Sequence, residues 1–291
     1  MRSSRIMRGV LGAGVVVTLA VTISSVGRPT PVRLSRVVAR RHDPVRIHRQ
    51  RNNGSWDSTN WSGYAVTGSN VTDVKGSWVV PAVTCPPAPT GYSSFWVGID
   101  GFSSNTVEQI GTDSDCESLS GKSNTATYYA WFEFYPQYAY VIQFSRGIKV
   151  GDVITAEVKY AGQGSGRGRQ GSGPQFTVTI TDVTQNESYT TTSAVRGAQQ
   201  TSAEWIAEAP CCGSGNTVLP LADFGSVAFS SGNATTAQNT KGGPIGSFGA
   251  NVQEITMVGE SNSTLVKAQP SSASLSSTAT GFSVAWLAAG P

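Results

Sequence analysis

The stretch ATYYAWFEFY, which spans Ala126–Tyr135, decides the fold class of this chain. Successive side chains of a β-strand point to opposite faces, so the stretch divides into two sets. The set that is typical of a protein core consists of Tyr128, Ala130, Phe132 and Phe134. The opposite set consists of Tyr129, Trp131, Glu133 and Tyr135. Because a carboxylate among aromatic rings is costly to bury, we expect this second face to line a solvated groove.

Similar runs of aromatic and β-branched residues recur about every 10–20 residues, a spacing that favours an antiparallel sandwich or barrel. They lie at Gly76–Val80, Ser93–Ile99, Val153–Tyr160, Gln175–Val183, Val252–Val258 and Gly281–Leu287. Charged residues make up only 13% of the 291 residues, while Gly (33) and Pro (14) are plentiful. This composition excludes long amphipathic helices and coiled coils and disfavours a parallel α/β fold. The sequence therefore predicts one large all-β domain.

Charge is distributed unevenly along the chain. Residues 1–54 hold 11 of the 21 Lys and Arg and a single acid, Asp43, so residues 55–291 carry a net charge of −7. Both histidines, His42 and His48, also lie in the basic part. If that part is removed, the remaining domain has no histidine, which excludes Ser-His-Asp and Cys-His catalysis and histidine-ligated zinc. Hydrolysis would then depend on carboxylates, amides and hydroxyls.

The first residues have the pattern of an export signal. Met1–Arg8 carries three arginines, and the apolar run Gly9–Val26 that follows has no charge. We interpret residues 1–26 as a signal peptide, residues 27–54 as a basic propeptide and residues 55–291 as the mature domain. A membrane anchor is the alternative, because about 18 apolar residues can span a bilayer. We expect a secreted, extracellular monomer without stable membrane association after signal cleavage.

The basic segment, residues 28–54, is expected to bind a partner of opposite charge. Such a run often marks nucleic-acid binding, but an exported protein meets little nucleic acid, and the downstream domain is acidic. We therefore expect no nucleic-acid partner, and we interpret residues 28–54, with a formal charge of +7, as an intramolecular inhibitor that docks on the domain. Protonation of carboxylates near about pH 4 and added salt should both weaken this docking.

Four cysteines in an exported protein can form disulfides in three pairings. We favour a bond between Cys85 and Cys116 and an adjacent-residue bond between Cys211 and Cys212. Zinc is disfavoured because the spacing contains no paired C-x-x-C knuckles. The sequence therefore indicates no metal site.

Six aromatic-rich blocks carry a family resemblance. They are NWSGY (Asn60–Tyr64), FWVGIDG (Phe95–Gly101), VEQIGTD (Val107–Asp113), YYAWFEFYP (Tyr128–Pro136), SAEWIAEAP (Ser202–Pro210) and VLPLADFG (Val218–Gly225). In this order they resemble the glutamic peptidases, or eqolisins, and the chain is identified as a secreted member of bacterial type. The resemblance covers residues 60–287. It implies a two-sheet antiparallel β-sandwich of lectin-like or jelly-roll type, with a concave substrate groove and polypeptide substrates.

The resemblance also assigns residues to the site. It implies that Gln109, in the family's Q-x-G block, and Glu208, which closes its A-E-[FW]-I-x-E block, form the catalytic pair. It implies substrate-binding or supporting roles for Trp61, Trp96, Asp100, Asp113 and Glu133. The two tryptophans could instead belong to the core, and Asp100 could organise a turn with Gly101. One departure follows Glu208, where fungal members have Asp-Phe and this chain has Ala209 and Pro210.

The chemistry of this pair needs no cofactor. A carboxylate can take a proton from water as the water attacks a peptide carbonyl, and can return that proton to the leaving amine. The amide of Gln109 stays neutral and can donate to the developing oxyanion. The sequence thus predicts an acid endopeptidase made as a zymogen. The alternatives are a secreted carbohydrate-binding protein and a glycosidase that uses Glu133 and Glu208 as a carboxylate pair.

Overall fold

A computed structural model of the chain describes residues 32–36, 41–52, 54–86, 89–117, 123–165, 172–211, 216–271 and 275–290. The predicted signal peptide, residues 1–26, lies outside these ranges. The strands and the short 3-10 helix η1 are β1 (Arg33–Arg36), β2 (Ile47–Asn52), β3 (Ser55–Ser58), β4 (Trp61–Thr67), β5 (Asp73–Val79), β6 (Ser94–Ile99), β7 (Val107–Glu117), β8 (Thr125–Tyr135), β9 (Tyr140–Gln143), β10 (Val153–Ser165), β11 (Ser172–Asp182), β12 (Glu187–Ala194), β13 (Ser202–Glu208), β14 (Ser226–Thr235), β15 (Gly243–Pro244), η1 (Ile245–Asn251), β16 (Val252–Val258), β17 (Val266–Pro270) and β18 (Phe282–Trp286).

The strands form two sheets. The first has the order β1-β9-β8-β7-β6-β13-β4-β16, with antiparallel neighbours throughout. The second has the order β12-β11-β10-β5-β14-β18-β17 and is also antiparallel. A short pairing of β16 with β17 connects the sheets, while β3 lies parallel to β16 and carries β2 on its other side. The pairings between described strands form an open line from β1 to β12, so the predicted two-sheet antiparallel sandwich is confirmed.

The core lies between the two sheets. The indole of Trp205 in β13 packs against Gly76 in β5, where a Cβ atom would lie 2.8 Å from Trp205 Cδ1. Trp78 of β5 donates its indole N–H to Thr112 Oγ1 of β7 at 2.9 Å. Ala130, Phe132 and Phe134 of β8 are buried in the same core, as the alternation predicted. The opposite face of the first sheet is thereby left for the candidate site.

The structure confirms the predicted disulfide between Cys85 and Cys116, which joins the loop after β5 to β7. Cys211 is also disulfide-bonded. Cys212 lies outside the described residues, and so does the predicted Cys211–Cys212 bond. Within the described ranges, no helix is long and apolar enough to cross a membrane. The same ranges contain no group of three or more His, Cys, Asp and Glu side chains arranged to hold a metal ion.

Candidate active site

The first sheet carries a band of polar and aromatic side chains on the face turned away from the core. Gln109 of β7 lies opposite Glu133 of β8 on one side and opposite Gly98 of β6 on the other. Glu208 of β13 lies opposite Ser94 of β6. Glutamine and both glutamates are fully buried in this structure. The neighbouring strands β8, β7, β6 and β13 thus bring the two predicted catalytic residues to one face.

Two glycines, Gly98 and Gly111, leave space for the indole of Trp96. A Cβ atom at Gly98 would lie 2.8 Å from Trp96 Cζ3 and 3.3 Å from Gln109 Cβ. A Cβ atom at Gly111 would lie 2.5 Å from Trp96 Cβ. Because both positions lack a side chain, Trp96 lies across the strands and donates its N–H to Glu208 Oε2 at 2.8 Å. The short residues of the WVG and QIG segments therefore position the indole at Glu208.

Burial controls the ionisation of Glu208. Burial raises the pKa of Glu208 well above its ordinary value, and the nearby charges of Asp43, Glu133 and Asp113 raise it further. The hydrogen bond from Trp96 acts in the opposite direction, because it stabilises the carboxylate. Glu208 Oε1 is buried and makes no hydrogen bond among the described residues. This oxygen is available to accept a proton.

Gln109 has one amide atom engaged and one free. Its Nε2 donates to the carbonyl oxygen of His42 at 2.6 Å and lies 3.4 Å from Glu133 Oε2. Its Oε1 is buried without a hydrogen-bond partner in the part of the chain that is described. Burial likewise raises the pKa of Glu133 well above its ordinary value. The arrangement can polarise a carbonyl group with Nε2 and accept a hydrogen bond with Oε1.

Asp113 lies on the same face of β7 as Gln109. The hydroxyl of Tyr129 donates to Asp113 Oδ2 at 2.7 Å and also lies 3.0 Å from Asp115 Oδ2. The side chain of Asp115 accepts a hydrogen bond from the backbone N–H of Ser93. Asp115 was missed from sequence, although its alternation with Gln109 and Asp113 along β7 carries the signal. Of this acidic network, Asp113 contributes negative charge that raises the pKa of Glu208.

The structure places Asp100 in a different environment. Its carboxylate accepts hydrogen bonds from the backbone N–H groups of Gln199, Gln200 and Thr201, and from the Thr201 hydroxyl. Asp100 itself has a positive φ of 71° and precedes Gly101. These bonds organise the loop before β13, which agrees with the alternative that Asp100 organises a turn. A contact of Asp100 with substrate stays a prediction.

Both predicted groove tryptophans lie in one cluster. Trp61 and Trp96 pack edge to face with ring centroids 4.8 Å apart. Trp131 of β8 belongs to the same cluster and donates its indole N–H to Ser94 Oγ at 3.0 Å. Trp131 was missed as a site residue, although it shares a strand face with Glu133.

The groove face is covered by the segment Arg41–Arg46, which lies within the predicted propeptide. The backbone N–H of His42 donates to Glu133 Oε2 at 2.9 Å. The indole N–H of Trp61 donates to the Asp43 carbonyl oxygen at 3.1 Å. Asn60, another residue missed from sequence, donates from Nδ2 to the Pro44 carbonyl oxygen at 3.1 Å. The face predicted to be solvated is therefore buried in this structure, because another part of the chain lies on it.

Comparisons with known proteins agree with the fold. Residues 59–279 match the sequence model of the Peptidase A4 family. Aspergillopepsin-2 from Aspergillus niger is 33% identical over 208 residues, which cover 64% of this chain and 67% of the relative. The structure of aspergilloglutamic peptidase from Aspergillus niger is 28% identical, with a TM-score of 0.50, and covers 68% of this chain and 99% of that chain. Scytalido-glutamic peptidase with a peptide-based transition-state analogue is 20% identical, with a TM-score of 0.59 over 79% of this chain and 98% of that chain, and shows the shared fold.

Proposed function

This chain belongs to the peptidase A4 family of glutamic peptidases, and we propose that it is a secreted acid endopeptidase whose catalytic pair is Glu208 and Gln109. One observation carries the assignment of the pair. Gln109 Nε2 already donates to a peptide carbonyl oxygen, that of His42, at 2.6 Å on the face that presents Glu208. A polypeptide lying on this face therefore meets both residues at once.

In the proposed reaction, the Glu208 carboxylate is the general base. It takes a proton from a water molecule while the water oxygen attacks the carbonyl carbon of the peptide bond. Gln109 Nε2 donates to the carbonyl oxygen as negative charge develops there. The Glu208 carboxyl then returns its proton to the amide nitrogen as the C–N bond breaks, so the products are a carboxylic acid and an amine. Glu208 Oε1 and Gln109 Oε1 make no hydrogen bond among the described residues, so each can accept a hydrogen of such a water.

Neighbouring residues position and tune the pair. Glu133 Oε2 lies 3.4 Å from Gln109 Nε2 and orients the amide so that its other N–H faces the substrate carbonyl. Trp96 stabilises the ionised form of Glu208, which keeps the base active at lower pH. Because residues 55–291 contain no histidine, the reaction depends on this carboxylate and suits acidic conditions.

The same proposal includes secretion and latency. The basic segment of residues 28–54 would act as an intramolecular inhibitor of the precursor. The position of Arg41–Arg46 over Glu133, Gln109 and Glu208 supports this role, because a substrate needs the same face.

The test is hydrolysis by the acid-processed protein. We expect cleavage of denatured globin, and not of β-glucans, at about pH 2–5, where a glutamate base titrates. A metal chelator should leave the rate unchanged. Glu208→Gln should abolish cleavage while the far-UV spectrum stays native, and Gln109→Ala should lower kcat by roughly 10²-fold, the scale of a lost oxyanion donor. Near-normal activity of Glu208→Gln would refute the assignment, and a change confined to KM would make Gln109 a binding residue.

A further inference from the structure

The segment Arg41–Arg46 is held in the groove by its main chain, as an extended substrate would be. Arg41 exchanges two backbone hydrogen bonds with Cys211, at 2.6 and 3.0 Å. The N–H of Val45 donates to the Gly101 carbonyl oxygen at 3.1 Å. Between these two points His42 and Asp43 lie over the catalytic pair. Recognition through backbone groups at both ends fixes which peptide bond meets the pair.

That bond is the one between His42 and Asp43. In the proposed reaction Gln109 Nε2 donates to the carbonyl oxygen that is attacked, and here it donates to the His42 carbonyl oxygen. The N–H of the same residue donates to Glu133 Oε2. The segment therefore occupies the groove in the register of a substrate, and it can act as an inhibitor only if some feature keeps this bond from being cut.

The side chain of His42 supplies this cause. Its ring stacks on Trp131 with centroids 3.5 Å apart and an angle of 5° between the planes. Its Nδ1 lies 3.1 Å from Glu208 Oε2, the oxygen that also accepts the N–H of Trp96. When Nδ1 carries the proton, Glu208 Oε2 accepts two N–H bonds, and a carboxylate bonded in this way is a weaker base than one that accepts a single bond. Only 3% of the His42 side chain is exposed, so water does not compete for this contact.

Arg46 of the segment, and Arg49 and Arg51 of the following strand β2, pair with other carboxylates. Arg46 pairs with Asp43 at 2.7 Å within the segment itself. Arg49 pairs with Asp57 at 2.6 Å, and Arg51 lies 3.4 Å from the same carboxylate. These pairs anchor residues 46–51 beside the groove, whereas the imidazole of His42 contacts Glu208.

We propose that His42 makes the segment an inhibitor rather than a substrate, because its imidazole holds Glu208 while the His42–Asp43 bond lies at the catalytic pair. The proposal rests on the proposed function and adds the means by which the precursor stays latent. Its consequence is specific. Without the Nδ1 contact, the same segment becomes a substrate that is cut between residues 42 and 43.

The experiment uses the full-length precursor and three variants of it. His42→Phe keeps a flat ring for stacking on Trp131 but loses Nδ1, and His42→Ala loses both. His48→Ala is the matched control, because His48 is the other histidine of the predicted propeptide and is exposed. Each precursor is followed over a series of pH values from about 3 to 7, which starts in the ordinary glutamate range and extends upward, because burial raises the pKa of Glu208 in the covered site. Intact-mass spectrometry follows the fragment that begins at Asp43, and globin cleavage follows the onset of activity.

We expect both His42 variants to be cut between residues 42 and 43 roughly 10- to 100-fold faster than the wild type, the scale of one hydrogen bond to a charged group. His48→Ala should behave as the wild type does. Adding Glu208→Gln to His42→Phe should stop the cut, because the cut needs the general base, whereas acid hydrolysis of the Asp43–Pro44 bond would persist and would give a fragment that begins at Pro44. If the His42 variants stay uncut at this bond, or the wild type is cut there equally fast, the proposal is wrong.

A second measurement tests the proposal without requiring any variant precursor to fold. Synthetic peptides of residues 41–52, with and without His42→Phe, are added to wild-type enzyme obtained by acid processing. The wild-type peptide should inhibit and remain intact, and the His42→Phe peptide should be cut after residue 42. Equal cutting of both peptides, or of neither, would overturn the role of His42. Failure of the processed enzyme to cleave globin would instead overturn the proposed function, whichever peptide is cut.

Discussion

The hydrogen bond from Trp96 to Glu208 allows the general base to be tested without removing it. Trp96→Phe keeps most of the ring and deletes the N–H that lies 2.8 Å from Glu208 Oε2. Hydrogen bonds to charged groups contribute about 1.5–3 kcal/mol. If this bond acts on the carboxylate form, its loss lowers the ionised fraction of Glu208 at low pH by roughly 10- to 150-fold. We expect kcat/KM on the acid side of the profile to fall by the same factor.

The direction in which Trp96→Phe shifts the pKa of Glu208 follows from the form of Glu208 that the hydrogen bond stabilises. The Trp96 N–H stabilises the carboxylate and lowers the pKa of Glu208, so its removal raises that pKa. A base with a raised pKa is protonated at a higher pH, and the acidic limb of kcat/KM therefore moves upward while the rate above the limb changes little. The assay is the pH profile of the acid-processed enzyme on a quenched peptide.

Trp61→Phe is the matched control for this change. Trp61 packs against Trp96 in the same cluster, but its indole N–H donates to the Asp43 carbonyl oxygen and not to Glu208. We expect its acidic limb to coincide with that of the wild type. The reasoning is refuted if Trp96→Phe leaves the limb in place, or if Trp61→Phe moves it equally, because the limb would then not report the ionisation of Glu208.

Three further predictions concern stability. Burial raises the pKa of Glu204 well above its unfolded value of about 4.3. The stability that Glu204 contributes is therefore complete below about pH 4.3 and is lost as pH rises through the folded pKa. Glu204→Gln should raise the urea midpoint at neutral pH and leave it nearly unchanged at acidic pH. Replacing Cys85 and Cys116 by serine should lower the free energy of unfolding by about 3–4 kcal/mol, from the loop entropy of a 31-residue separation, as measured by urea titration. Gly111→Ala should lower the Tm and the activity together, because its Cβ would lie 2.5 Å from Trp96 Cβ and overpacking costs about 1–3 kcal/mol.

The faces of the strands could be predicted from sequence because alternation is local. The pattern of Ala126–Tyr135 placed Phe132 in the core and Glu133 on the opposite face, and both positions agree with the structure. The pairing of Gln109 with Glu133 could not be predicted in this way. It depends on the register between β7 and β8, which is a property of two strands together. The family resemblance supplied Gln109 where local pattern could not.

The groove face is buried in this structure for a non-local reason, because part of the predicted propeptide lies on it. The contact between His42 and Glu208 joins residues 166 positions apart, and neither neighbourhood contains a pattern that specifies it. Charge alone indicated that a basic segment would lie on an acidic domain, without indicating which side chain enters the groove.

The burial of the groove explains why an imidazole, rather than a guanidinium or ammonium group, lies beside Glu208. A guanidinium or ammonium group beside Glu208 would bring a permanent charge into a fully buried site, and that charge would need complete pairing. An imidazole can be buried as a flat ring against Trp131 and still form one hydrogen bond with Glu208, without a permanent charge. The arginines lie farther out, where Arg49 and Arg51 keep part of their side chains in solvent while they pair with Asp57. Salt should therefore weaken the outer anchors more than the inner contact, because screening acts mainly on exposed pairs.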